Sequence, residues 1–123
     1  MRSVLLVLLV AVLGGCSNST SAGNIEGRWS QEGQMPGSST TMTLNKIGSI
    51  VSGSGEWCGE ALRCGTLTVR GTAQADAIHL EITFDQNGGE IFDGRLEGSD
   101  ALVGTAKWFV GIPEAFEVRF IRE

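Results

Sequence analysis

The chain has 123 residues, 41% hydrophobic and 19% charged, with a formal net charge of −5 at neutral pH. That is the length of a single domain. The acidic balance argues against nucleic acid as a partner and against charge-driven docking on anionic lipid.

The first residues read as a leader. Met1-Arg2-Ser3 carries one positive charge, and Val4 to Leu13 is an unbroken apolar run of ten residues. A membrane-spanning helix needs about 17–25 such residues, so the run is too short for an anchor and has the build of a secretory signal peptide. Leu13-Gly14-Gly15-Cys16 follows and resembles the lipobox of bacterial lipoproteins at all four positions. The resemblance implies thioether attachment of diacylglycerol to Cys16, cleavage after Gly15 and acylation of the new amino terminus. Stable anchoring takes more than one acyl chain, which this chemistry supplies. Loss of Arg2 with the leader turns the charge of −5 into −6. The membrane partner would then be held by the lipid and not by charge. In this family an Asp after the lipidated Cys retains the protein at the inner membrane. That rule holds in enteric bacteria; Ser17 stands there, so the resemblance favours the outer membrane over the inner where the host has one, facing periplasm or cell surface.

Ser17 to Asn24 is Ser/Asn/Thr/Gly-rich and reads as a flexible tether with a reach of about 25–30 Å. From Ile25 onward the signal has period two, which predicts an all-β domain over 25–123. Eight strands are expected, at about 25–31, 39–46, 49–57, 65–73, 77–84, 90–97, 101–109 and 115–122. The fifth shows the pattern best: Ile78, Leu80, Ile82 and Phe84 alternate with His79, Glu81 and Thr83. Such alternation marks antiparallel sheet with one solvated face. Turn chemistry separates the strands at Lys46-Ile47-Gly48, Gln74-Ala75-Asp76, Gln86-Asn87-Gly88-Gly89, Gly98-Ser99-Asp100 and Gly111-Ile112-Pro113. Short connections make neighbours in sequence neighbours in space, so the strands form a meander.

Between the third and fourth strands lies Cys58-Gly59-Glu60-Ala61-Leu62-Arg63-Cys64. With Cys16 assigned to lipid, Cys58 and Cys64 remain as a pair. An exported chain meets oxidising conditions, which favour a disulfide between them. Two Cys with no further Cys or His nearby do not make a zinc site, and the spacing is not the Cys-x-x-Cys of redox enzymes.

Register follows from the loops. A three-residue loop at Gly98-Ser99-Asp100 sets Leu96 opposite Leu102, Gly94 opposite Gly104 and Phe92 opposite Ala106. A longer loop before it sets Phe84 opposite Phe92, Ile82 opposite Gly94 and Leu80 opposite Leu96. Several of the 18 glycines fall inside strands, among them Gly53, Gly55, Gly71, Gly94 and Gly104. Interior glycine permits the coiling a small barrel needs, so an eight-stranded up-and-down barrel is expected, with a β-sandwich as the alternative.

Gly27-Arg28-Trp29 on the first strand resembles the Gly-x-Trp of the calycin group, which includes lipocalins and avidins. The resemblance implies a Trp packed near a basic residue from the last strand, here Arg119 or Arg122. It covers about a quarter of the domain and carries no ligand residues.

His79, the one histidine, falls on the solvent face of its strand with no nucleophile and orienting group beside it. Gly53-Ser54-Gly55 lacks the spacing and the following helix of a dinucleotide loop. Asp85-Gln86-Asn87-Gly88-Gly89-Glu90 has its glycines too early for a calcium loop and reads as a hairpin turn. Glu56 and Glu60 are surface acids flanking the disulfide. No cofactor, no metal and no enzyme activity is expected.

Trp29, Trp57 and Trp108 each fall near a strand end. They read either as plugs of a filled core or as the lining of a ligand mouth, with Arg119 as a further barrel-end residue. The opposed Gly94 and Gly104 leave a notch that a Trp is expected to cover. The expected function is a lipid-anchored envelope protein that binds a small apolar ligand or an envelope protein through its barrel. The alternative is an interaction module like the membrane-bound lysozyme inhibitors, or a structural accessory of the envelope.

Overall fold

The computed structural model describes residues 24–85, 88–109 and 114–123. The leader, Cys16, the tether up to residue 23, and the turn residues Gln86, Asn87, Gly111, Ile112 and Pro113 lie outside them. Eight strands run in chain order: β1 (Gly27–Gln31), β2 (Ser39–Ile47), β3 (Ile50–Cys58), β4 (Cys64–Gln74), β5 (Ala77–Phe84), β6 (Gly89–Glu97), β7 (Ala101–Trp108) and β8 (Phe116–Arg122). Each pairs antiparallel with the next, and β8 returns to β1 through Trp29↔Arg122 and Gln31↔Phe120, closing a barrel. Closure removes the free edges that a sandwich would keep. The expected boundaries hold to within two residues. The largest departure is β1, which starts at Gly27 because that residue has φ 125° and breaks the extended run. Asn24 to Glu26 instead lead into β1 across the end of the barrel, and Ile25 is fully buried there.

Period two explains the wall. Ile78, Leu80 and Ile82 are buried along β5 while Ala77, Glu81 and Thr83 are exposed. The inward glycines answer to a close approach of backbones. A methyl group on Gly55 would strike the carbonyl oxygen of Thr41, and one on Gly104 that of Asp93. Glycine at these sites lets the strands coil tightly enough to close.

The β6–β7 register is as expected, with Glu97↔Ala101, Leu96↔Leu102, Gly94↔Gly104 and Phe92↔Ala106. The β5–β6 register is not. Leu80 faces Phe92, not Leu96, and Ile82 faces Glu90, not Gly94. The connection is tighter than expected: Phe84 donates its N–H to the Gly88 carbonyl at 3.1 Å, and Thr83 already pairs with Gly89. The offset is an even number of residues, so inward side chains still meet inward ones. Alternation alone cannot detect a slip of that kind.

Met42, Leu44, Leu67, Val69, Leu80 and Phe92 are among the side chains that fill the barrel to an accessibility of 1% or less. The Gly94–Gly104 notch is covered by a Phe and not a Trp. The Phe92 ring lies against Gly94, and Phe120 packs edge-on to it at 5.5 Å.

The two ends of the barrel differ. At the end where Asn24 enters, Trp29 is fully buried, and its Nε1 donates to the Ile25 carbonyl oxygen at 2.9 Å. The Arg122 guanidinium lies 4.3 Å from the Trp29 ring centroid. It also donates to the backbone oxygens of Ser99, Glu26 and Asn24, bolting the β6–β7 turn and the entering chain across this end. Burying an aromatic side chain of this kind stabilises by about 2–3 kcal/mol. This end is shut. The other end, formed by the β1–β2, β3–β4, β5–β6 and β7–β8 connections, is where the site lies.

Candidate functional site

Odd-numbered strands of a meander all run the same way. The last inward side chains of β3, β5 and β7 therefore converge at one end, and they are Trp57, Phe84 and Trp108. Their rings form a chain: Trp57 and Phe84 lie 6.2 Å apart at 75°, and Phe84 and Trp108 lie 6.4 Å apart at 47°. Phe116, at the start of β8, extends it at 5.6 Å from Trp108. Together with Gln34 and Ser38 of the β1–β2 connection, Thr40 of β2, and Cys58, the first three rings line a cup of about 290 Å³. That volume is close to the lower bound for small-molecule sites, and the mix of ring faces with a few polar groups is typical of them.

Trp57 is positioned from two sides. It sits opposite Gly65, where a methyl group would stand only 2.8 Å from its Nε1, so the indole lies over the bare strand. Its Nε1–H donates to Asp85 Oδ1 at 3.0 Å. This hydrogen bond, and a second from the Thr66 backbone, hold the Asp85 carboxyl below the usual carboxylate range. Asp85 is therefore an anion at neutral pH. The Cys58–Cys64 disulfide, expected from the sequence, joins directly opposed residues of the β3–β4 hairpin and holds the wall next to Trp57.

Two polar groups of the mouth were not singled out from the sequence. Glu90 points inward between Ile82 and Trp108 and is only 3% exposed. Burial pushes its carboxyl up to about 7. Among the described residues no cation pairs with it. Gln34 donates through Nε2 to Thr40 Oγ1 at 3.1 Å, while its buried Oε1 has no partner among the described residues. An unpaired buried acceptor is uncommon in a folded protein and invites a donor from outside.

Of the residues singled out in the sequence, Trp57 and Trp108 meet in this cup. Trp29 is at the shut end, under Arg122. Arg119 is on the outer wall, between Glu97 at 3.0 Å and Glu32 at 3.3 Å, and lines no part of the cup. Exposed pairs of this kind contribute little to stability. His79 is on the outer wall as expected, 2.6 Å from Asp93 across the β5–β6 pair, which raises its pKa. The rim of the cup carries exposed apolar side chains: Met35 is 68% exposed, Trp108 44% and Phe109 41%.

No protein-family model matches this chain, and comparison with curated proteins and with solved structures finds no match.

Proposed function

We propose that this chain is a lipid-anchored, non-enzymatic protein of the bacterial cell envelope that binds a small apolar ligand in the cup at the open end of its barrel. The observation that carries the binding reading is the convergence of Trp57, Phe84 and Trp108 around a cup of about 290 Å³. Buried side chains fill the barrel below the cup, so within the barrel the cup is the space left for a ligand. The Leu13-Gly14-Gly15-Cys16 lipobox carries the anchoring reading. It is supported by the direction of the chain: Asn24 lies at the end opposite the cup. A tether arriving there leaves the cup facing away from the lipid surface. Ile47 and Ile50 of the β2–β3 turn, 84% and 59% exposed, sit at the same end as Asn24 and would face that surface.

Titration of the domain with neutral amphiphiles of graded length, followed by tryptophan emission, tests the binding. A saturable shift is expected, and Trp108→Leu should weaken it several-fold. Silence across the whole series would remove the reading. Anchoring is tested separately by fatty-acid incorporation, which Cys16→Ser should abolish together with membrane association.

A further inference from the structure

The proposed apolar ligand leaves two groups at this end of the barrel unexplained, the buried Glu90 carboxyl beside Trp108 and the Gln34 carbonyl oxygen of the cup, and both suit a positively charged partner. We infer that the cup recognises an organic ammonium cation: an apolar body carrying a positively charged nitrogen, with the nitrogen held among the rings of Trp57, Phe84 and Trp108. This inference rests on the cup being a ligand site at all.

Four observations converge. First, the rings stand on three different strands and surround a common space, as a cage for a cation requires; a ring face is the negative end of its quadrupole. Second, Trp57 donates its only N–H to the Asp85 carboxylate at 3.0 Å. A hydrogen bond to an anion pushes electron density into the indole and makes its face a better partner for positive charge. Third, Glu90 is buried beside Trp108 without a counter-ion. A cation brought within about 4–6 Å would favour the ionised form of that carboxyl. Fourth, Gln34 offers a buried carbonyl oxygen with no partner among the described residues, an acceptor that a polarised N–H or N–CH group can meet. No Lys or Arg lines the cup among the described residues, so no fixed positive charge there repels a cationic ligand. The net charge of −5 further favours the approach of a cation.

The test uses two probes of equal shape. Choline carries a quaternary nitrogen, and its neutral isostere carries carbon in that place. Each is titrated into the domain at neutral pH, with tryptophan emission and calorimetry as readouts. Choline should bind roughly tenfold more tightly than the isostere. The preference should fall for Trp108→Leu, which keeps an apolar side chain but removes the ring, and for Glu90→Gln, which keeps the shape but removes the charge. Circular dichroism confirms that both variants are folded. Equal or tighter binding of the isostere would overturn the cation inference and leave the apolar site standing. So would a choline preference that survives both substitutions. If neither probe nor any neutral amphiphile binds, the site itself falls.

Discussion

A carboxyl buried against Ile82 and Trp108 without a partner releases its proton late, and that ties Glu90 to the stability of the barrel. Its folded pKa of about 7 lies above the ordinary 4.5. Between those values the folded chain holds a proton that the unfolded chain has released. Stability is therefore full below pH 4.5 and declines as pH rises through 7, by about 3 kcal/mol at most. His79 acts with the same sign but later. Its raised pKa contributes stability that is intact below 6.5 and lost as pH climbs past the folded value. Its side chain is 42% exposed, so the amount is small. Urea midpoints measured between pH 5 and 6.5 should consequently fall for the natural chain and stay level for Glu90→Gln. A natural chain with no slope in that window would show that Glu90 is hydrated. The inward placing of Glu90 was within reach of the sequence, because extending Phe92, Gly94 and Leu96 backwards by one step of two arrives at it. Glu90 stands at the start of the expected strand, directly after the Asn-Gly-Gly turn, and a residue beside such a turn reads as part of it. Gln34 lies in an aperiodic connection, where no pattern indicates burial.

Strand positions were legible because each of the eight runs alternates and each break carries turn residues. The way the ends come together was legible only in part. Three tryptophans near strand ends look equivalent on paper. Strand direction separates them: Trp57 and Trp108 fall late in β3 and β7, whereas Trp29 follows only Gly27 and Arg28 in β1. In a meander those positions belong to opposite ends. The β3–β4 hairpin shows how one element holds the cup. Its disulfide closes a loop with a sequence separation of 6, and so short a loop is worth about 2 kcal/mol on the chain-entropy model. Replacing both Cys58 and Cys64 by Ser should lower the unfolding free energy by about that amount while the barrel still folds. Because Cys58 is also part of the lining, ligand-induced change in Trp57 emission should shrink as well. An unchanged urea midpoint would mean the hairpin needs no covalent tie.

The ring is completed by the two ends of the chain. β1 and β8 meet along a short seam, reinforced where Glu123 donates its N–H to the Arg28 carbonyl oxygen at 2.8 Å and takes the Arg28 side chain at 2.7 Å. Removing residues 116–123 should therefore leave an unfolded chain by circular dichroism, since β1 and β7 would both become edges. A circular permutant that links Glu123 to Asn24 and opens the β4–β5 turn between Ala75 and Asp76 keeps every strand beside its neighbour. It should fold, and it also frees Ala75 from its φ of 52°, a conformation L-residues resist. A folded truncation or an unfolded permutant would contradict this account of the seam. With the eight strands paired into a closed ring, the described residues leave only short stretches of N–H and C=O groups for a neighbouring copy to extend, such as the start of β8 beyond its seam with β1. Crowded molecules of this kind have little edge from which to grow shared sheets. Among the described residues the exposed large apolar side chains lie at the two poles, Met35, Trp108 and Phe109 on one and Ile47 and Ile50 on the other. Self-association through these side chains would stack barrels pole to pole, where an occupant of one pole competes with it directly.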